Sequence, residues 1–447
     1  MKFLDRCRPG MGIKRWLLVG IAGIVTVSIG LNQFIESPDS LYRVFYFVSG
    51  SFLVILGGII IYIALRYGLG TLIGAISDSR NMAGSLEGDK LQDLIYEKRV
   101  LVRSPKIVVI GGGTGLSVML KGLKHYTSNI TAVVTVADDG GGSGVLRQEM
   151  GILPPGDIRN CIVALANVEP VMEQLLQYRF HEGALSGQSF GNLLIAAMSD
   201  ISNGFEEAIQ QISNVLAVTG RVLPVTLDDV VLTAELEDGT IIKGESQIPI
   251  VQVQRKSKIK EVAIHPSDCK ALPDVLEAIA EADAVIIGPG SLYTSIIPNL
   301  LVKGVADAIR RSSAIKIYVA NVMTQPGETQ GYAVHDHIHA IRRHGGEGLI
   351  DYVLVNSNMR IPRALRQKYL EDGAEPVVYD KEKIEKLGIK LIEKDLLKVT
   401  PDLIRHGSNR LADAIVKLVS DIRLSQDRKR WVDFYYINER MKRNRPH

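Results

Sequence analysis

Cysteine is scarce in this chain: three residues in 447, Cys7, Cys161 and Cys269, are scattered and form no CxxC pair. That pattern excludes a disulfide framework and a cysteine-based zinc site. An excess of one charge sign is missing too, because 52 Lys and Arg face 49 Asp and Glu, and a net charge of +3 is too small to make nucleic acid the partner. Familiar catalytic signatures are absent. No GxxxxGK[ST] occurs, which removes P-loop hydrolysis of ATP, and neither GxSxG nor a serine, histidine and acid pattern stands out.

Charge also avoids two long stretches. Residues 16–35, "WLLVGIAGIVTVSIGLNQFI", have none in 20 positions, and residues 44–65, "VFYFVSGSFLVILGGIIIYIAL", have none in 22. Each meets the roughly 20 residues a helix needs to cross a bilayer. The first exceeds the roughly 7 to 15 apolar residues of a signal-peptide core, and a second span follows almost at once. Neither shows the polar face of a core helix. Lys2, Arg6, Arg8, Lys14 and Arg15 precede the first span and Arg66 and Arg80 follow the second, while the loop between carries Glu36, Asp39 and Arg43. The positive-inside rule then predicts a two-span protein of the cell membrane with both termini, and everything from about Met82 onward, in the cytoplasm.

The rest divides by composition. Residues 1–66 form the expected membrane hairpin, 67–104 a juxtamembrane connector, 105–420 a globular domain and 421–447 a basic aromatic tail. In the connector, Leu91, Leu94 and Ile95 at helical spacing among alternating charges predict a short surface helix. The tail mixes eight Lys and Arg with Trp431, Phe434, Tyr435 and Tyr436, so it suits an anionic membrane surface as well as it suits solvent. In the globular domain, the apolar runs "KIVVI", "ITAVVTVA", "AVIIGPG", "IKIYVAN" and "YVLVNS" alternate with helical patterns. The expected fold is α/β: a Rossmann-like parallel sheet flanked by helices, preceded by two transmembrane helices. Near residues 218–264, an Asp238-Gly239 turn between alternating apolar segments predicts a small inserted β-hairpin region.

Four glycine-rich loops open helices after strands. In "KIVVIGGGTGLSVML" the turn Gly111, Gly112, Gly113, Thr114 and Gly115 leads into Leu116, Met119, Leu120 and Leu123. Backbone N–H groups at such a turn converge on an anion at the positive end of a helix. The dinucleotide fingerprint wants a third glycine where Leu116 stands, so the spacing points to nucleotide phosphate and away from NAD. In "TVADDGGGSGVLRQEM", Asp138 and Asp139 follow a strand, and Gly140 to Gly144 offer more backbone donors. "PPGDIRN" places Asp157, Arg159 and Asn160 at a helix start, where Asp157 reads as an N-cap or a cleft residue. "GQSFGNLLIAAM" contributes Ser189, Gly191 and Asn192, and "IIGPGSLYTSII" contributes Gly288, Gly290, Ser291 and Tyr293. Four such loops on one sheet predict a single phosphate-rich cleft. "HDHIH", with His335 and His339 one helical turn apart, reads as surface histidines and not as a metal site, and Glu328 and Thr329 of "NVMTQPGETQGY" either reach the cleft or cap the next helix.

Taken in order, "GGGTGLSVMLKGL", "TVADDGGGSG", "PPGDIRN", "SFGNLLIAAM", "GPGSLYTSIIPNLL" and "NVMTQPGETQGY" resemble the YvcK-type gluconeogenesis factors, a bacterial family related to CofD, the 2-phospho-L-lactate transferase. The resemblance runs from about Pro105 to about Leu418 and includes neither the membrane hairpin nor the basic tail. It implies a UDP-sugar ligand, notably UDP-N-acetylglucosamine, and a role in cell shape and envelope precursor supply during gluconeogenic growth through glucosamine-6-phosphate synthase or its regulators. It also implies nucleotide-site roles for Gly112, Gly113, Thr114, Gly115, Asp138, Asp139, Asn160, Ser189 and Asn192. Two positions depart from the family form. Val145 replaces the arginine of "GGSSGRLR", which weakens pyrophosphate binding unless Arg147 or Arg159 compensates, and Gln188 replaces the histidine of "GHS", which removes a general acid or base. Both favour a binding regulator over an enzyme and leave no catalytic residue identified. The alternative is a CofD-like transferase moving a phosphate-linked group to an acceptor hydroxyl, with Asp138 or Asp139 as base. No cofactor is required beyond Mg²⁺ travelling with the nucleotide in the transferase case, and a homo-oligomer is the expectation from base rates.

Overall fold

The computed structural model describes residues 13–35, 43–77 and 104–426. The connector helix expected around Leu91 and the basic tail from 427 onward lie outside the described residues. The chain divides into two compact units, residues 1–102 and 103–447.

The first unit contains two helices, α1 (Ile13–Ile35) and α2 (Arg43–Ser77). They pack closely through small residues: a Cβ at Gly57 would lie 2.6 Å from Val27 Cγ2 and 2.8 Å from the Gly23 carbonyl oxygen. Ser49 donates a 2.7 Å hydrogen bond to Gln33 across the pair. Such glycine-lined contacts with interhelical polar bonds are the usual means of association in hydrocarbon. Among the described residues, one helical window, Phe45–Arg66, is long and apolar enough to cross a membrane. It coincides with the second expected span. In α1 the described apolar stretch is the shorter Val19–Gln33.

The second unit is built on a seven-stranded parallel sheet in the order β10-β9-β8-β7-β1-β2-β3. The central strands are β1 (Ile107–Gly111), β2 (Ile130–Val134), β7 (Ala284–Ile287), β8 (Ile315–Val319) and β9 (Tyr352–Asn356). All five correspond to apolar runs in the sequence. Every residue of β1, β2 and β7 is buried, as expected of parallel strands covered by helices on both faces. The edge strands β3 (Arg221–Pro224) and β10 (Lys390–Lys394) did not announce themselves, because one is four residues long and the other alternates Lys, Glu and Lys. Charged, short edges of this kind keep a sheet from pairing with other chains.

The inserted region is larger than a hairpin. β4 (Val231–Leu236) and β5 (Ile241–Lys243) flank the Asp238-Gly239 turn as expected, with Gly239 at φ +83°. A third strand, β6 (Ile259–His265), pairs with the other side of β4 to complete an antiparallel sheet β5-β4-β6. A last hairpin joins β11 (Leu397–Val399) to β12 (Ile404–His406).

Helix α3 (Gly113–Leu123) follows β1 and turns Leu116, Met119, Leu120 and Leu123 inward at helical spacing, all fully buried. Leu116 thus fills with a core side chain the place where the dinucleotide fingerprint has its third glycine. Replacing it tests whether the turn depends on that packing. Leu116→Ala is expected to cost about 2–5 kcal/mol of stability, read as a lowered midpoint in thermal unfolding followed by circular dichroism.

Candidate functional site

The strand order sets the position of the site. From β1 the chain runs outward through β2 to β3, then returns to β7 on the opposite side of β1 and runs outward again to β10. The carboxyl ends of β1 and β7 therefore diverge, and open α/β sheets bind ligands at such a reversal.

The two loops at this point are tightly held. Gly113 has φ +65°, a left-handed conformation that costs glycine nothing. A Cβ at Gly115 would lie 2.7 Å from the Pro289 carbonyl oxygen, so glycine there lets the first turn of α3 meet the β7 loop. Asn321 clamps Gly290 with both ends of its amide, accepting from the Gly290 N–H at 3.2 Å and donating to the Gly290 carbonyl at 2.8 Å. Asn299, fully buried, donates to the carbonyls of Gly111 at 3.1 Å and Ser295 at 2.7 Å. Glu328, only 3% exposed, accepts from the Tyr293 N–H and the Thr294 hydroxyl, both at 3.1 Å, so it braces the cleft from behind and is neither an open cleft residue nor a helix cap. Burial raises its pKa to about 7.

A cavity of about 430 Å³ opens between these loops. Gly112, Gly113, Thr114, Gly115, Gly290 and Ser291 line it, all anticipated from the sequence. Gly288 lies outside the lining, with its N–H donated to the Ile110 carbonyl at 2.9 Å. The opposite wall comes from Asn321 to Pro326, Tyr369, Asp372, Arg405 and His406. Asn321 to Pro326 open the "NVMTQPGETQGY" motif, in which only Glu328 and Thr329 were singled out, and Tyr369, Asp372, Arg405 and His406 were not singled out at all, because they arrive from separate segments far along the chain. The "HGS" that follows Arg405 was the one available signal. Helix α3 has Gly112 at its N-cap, so no capping side chain bonds to its first turn, and of the N–H groups there the Gly113 N–H is taken from outside the helix by Asp157.

Asp138, Asp139, Asn160, Ser189 and Asn192 do not line this cavity; they are gathered in an adjoining polar cluster. Helices α4 (Gly141–Met150), α5 (Gly156–Leu165) and α6 (Phe190–Ile201) supply it. Asp138 accepts from the Gly140 N–H at 2.9 Å, and burial raises its pKa. Asp139 accepts from the Ser246 N–H at 2.9 Å, which ties the α4 turn to the inserted sheet. Asp157 is not an N-cap, since Pro155 holds that place on α5. Its carboxylate instead receives the Gly113 N–H, linking the cluster to the glycine turn, and burial raises its pKa to about 6. Glu245, near Asp138, Glu328 and Asp157, is raised to about 8, first by burial and then by those charges. Ser189 caps α6 by accepting from the Asn192 N–H at 3.3 Å and also accepts from Arg159, whose other terminal nitrogen donates to Asn160 at 2.9 Å. The amide oxygens of Gln188 and Asn192 are buried without a partner.

The two departures from the family form can now be judged. Val145 sits on α4 at 40% exposure. Arg147 does not replace the missing cation, because it is paired with Asp229 at 2.5 Å and donates to the Val230 carbonyl at 2.6 Å. Arg159 is the cation inside the cluster. On helix α8 (Val334–Gly345, α7 being Ile248–Arg255 of the insert), the rings of His335 and His339 stand 6.4 Å apart. His337 turns into the core instead, pairing through Nδ1 with the Tyr318 hydroxyl at 2.8 Å, and burial lowers its pKa to about 4. Among the described residues, no group of three or more His, Cys, Asp or Glu could hold a metal ion.

The raised carboxyl pKa values carry a stability consequence. A carboxyl whose folded pKa exceeds its unfolded value holds its proton more tightly when folded, so stability falls as pH rises between the two values. Glu245 spans the window from its ordinary value of 4.5 to about 8. Glu245→Gln is expected to unfold at a higher denaturant midpoint than the unaltered chain at pH 8, with the difference vanishing near pH 4.

With the geometry in view, the relatives take on meaning. The family model described as 2-phospho-L-lactate transferase CofD matches residues 107–397. A protein named putative gluconeogenesis factor from Clostridium acetobutylicum is 51% identical over 445 residues, covering 100% of this chain and 98% of its own, hydrophobic N-terminal region included. The gluconeogenesis factor of Bacillus subtilis is 48% identical over 71% of this chain and 99% of its own. A crystal structure of a UPF0052 family member from Bacillus halodurans is similar with a TM-score of 0.67 at 49% identity, covering 70% of this chain and 99% of that one. The chain belongs to the CofD family and, within it, to the gluconeogenesis factors.

Proposed function

We propose that this protein is a membrane-anchored regulator that binds a UDP-sugar, UDP-N-acetylglucosamine in the first instance, and serves cell shape and envelope precursor supply during gluconeogenic growth. The observation that carries the reading is the pairing of the uncapped N-terminus of α3 with Arg405 across the cavity at the β1/β7 reversal. A helix N-terminus attracts a diphosphate through its free N–H groups, and a guanidinium binds phosphate oxygens in a charge-assisted pair. Apart from Asp372, the remaining wall is uncharged and partly apolar, which suits a base and a sugar. The ligand then acts by favouring the state that engages a partner, with glucosamine-6-phosphate synthase or its regulators as the partner and a homo-oligomer as the working assembly.

Both α1 and α2 cross the membrane in this reading, with the basic flanks of the hairpin and the ligand-binding unit in the cytoplasm. The tight glycine contact between the two helices supports a hairpin inserted as a pair.

A second reading, a CofD-like transferase, is favoured by one feature. Asp157, with its pKa near 6 and its carboxylate on the Gly113 N–H, is placed to act as a base beside the cleft. Mg²⁺ in that case would arrive with the nucleotide, and Asp138 would be the carboxylate placed to help hold it, the metal supplying charge neutralisation at the diphosphate.

Calorimetry on the detergent-solubilised full chain tests the main reading. UDP-N-acetylglucosamine is expected to bind saturably and to be recovered intact, and Arg405→Ala is expected to weaken binding about tenfold or more. Consumption of the nucleotide in the presence of Mg²⁺ would establish the transferase instead. Topology is tested by cysteine labelling in right-side-out vesicles: a cysteine placed at Ser37 should react with an impermeant maleimide, and one placed at Ser128 should not.

A further inference from the structure

His406 ends β12 on the cavity wall opposite the glycine turn and is only 7% exposed. One ring nitrogen donates to the backbone carbonyl of Ala320, just beyond β8, and Nε2 is buried with no partner. Burial lowers the pKa to about 4, so the ring is neutral at ordinary pH. A neutral imidazole that gives its proton through Nδ1 keeps a lone pair on Nε2. An acceptor left unpaired in the interior costs about 1–3 kcal/mol, and a ligand that satisfies it recovers that cost.

The sign of this group is informative. Phosphate oxygens are acceptors and cannot pair with a lone pair, so the diphosphate belongs at α3 and Arg405, away from Nε2. The side chains that line the cavity with His406 include Val322, Met323, Tyr369 and Ile404, which are apolar or aromatic. The Tyr369 hydroxyl is itself engaged, accepting from the Ile404 N–H at 2.9 Å.

We infer that Nε2 of His406 accepts a hydrogen bond from a neutral donor on the non-phosphate part of the ligand, either the imide N–H of the base or a sugar hydroxyl, and so selects among nucleotides that share the diphosphate. The inference rests on the nucleotide-sugar reading above and adds to it a residue that determines specificity. A base whose matching edge carries only acceptors would leave both partners unsatisfied and be rejected, because discrimination is strongest where a buried polar group of the site loses its mate.

The test is calorimetry on the detergent-solubilised full chain with three variants. His406→Phe keeps a ring of similar size without the acceptor, His406→Gln returns an acceptor near the place of Nε2, and Arg405→Ala serves as the phosphate-side control. The expected result is a loss of about tenfold or more in affinity for UDP-N-acetylglucosamine with Phe and recovery to within about threefold with Gln, each read at a temperature where thermal unfolding shows the variant folded, since Phe also gives up the bond to the Ala320 carbonyl. Two ligand arms identify the donor. If N3-methylation of the uracil weakens binding to the unaltered protein but not further to the Phe variant, the donor is the imide. If 2′-deoxyuridine diphosphate shows that pattern, the donor is the ribose hydroxyl. Unchanged affinity in the Phe variant alongside lost affinity in Arg405→Ala overturns the role of His406 and leaves the nucleotide-sugar reading standing. Failure of the unaltered protein to bind any uridine diphosphate compound overturns both.

Discussion

The amide of Asn299 holds together the two backbone segments that make the cleft. It lies fully buried and donates to the Gly111 carbonyl at the end of β1 and to the Ser295 carbonyl in the helical turn after β7. Without it, the Gly111 carbonyl would keep only the Thr135 N–H at 3.0 Å, and the side-chain link between the two segments would be lost at the point where the strand order reverses. Glu328 and Asn321 brace the same loop from other directions, one on Tyr293 and Thr294 and the other on Gly290. Rigidity here matters because the N–H groups of α3 can receive an anion only if the β7 loop stays clear of them.

Electrostatics separates the cleft into two parts with different chemistry. On the cavity side, the positive end of α3 and Arg405 line one space, and anionic oxygen is welcome. On the cluster side, Asp138, Asp157 and Glu245 share one partly buried region, and all three are pushed toward their protonated forms by burial. Arg159 and, toward Asp138, Arg147 oppose them, but Arg159 is spent on Ser189 and Asn160 and Arg147 on Asp229. A phosphate in that cluster would meet carboxyl oxygens, so the two glycine loops nearest it act differently from the two at the reversal. Asp157 is the joint between the parts, since it takes the Gly113 N–H that begins the phosphate-facing turn. The pairing of Asp139 with the Ser246 N–H makes the inserted sheet a wall of the same cluster.

How far the sequence disclosed this protein can be judged from particular residues. The strands β1, β2, β7, β8 and β9 were legible because burial on both faces demands continuous apolar runs. The Asp238-Gly239 turn was legible because only such residues adopt that backbone cheaply. The edge strands were not, since β10 carries Lys390, Glu393 and Lys394 and owes its conformation to hydrogen bonds from β9. Asp157 looked like a helix cap by position and proved to serve a different segment, 44 residues earlier in the chain.

The family, the glycine turn at Gly111 to Gly115 and the apolar N-terminal segments follow from local sequence alone, because each depends on residue type at short spacing. Tertiary structure decided which loops share a cavity and which cations are available to it. Arg147 and Arg159 are equivalent candidates in the sequence, yet one is bound to Asp229 and the other lies among carboxylates. Arg405 and His406, on β12, and Tyr369, on the Arg363–Glu371 helix, reach the cleft only through the tertiary fold. Charge and hydrogen-bonding capacity are written in the sequence, but what they act upon depends on distance, and distance is set by how the sheet is ordered.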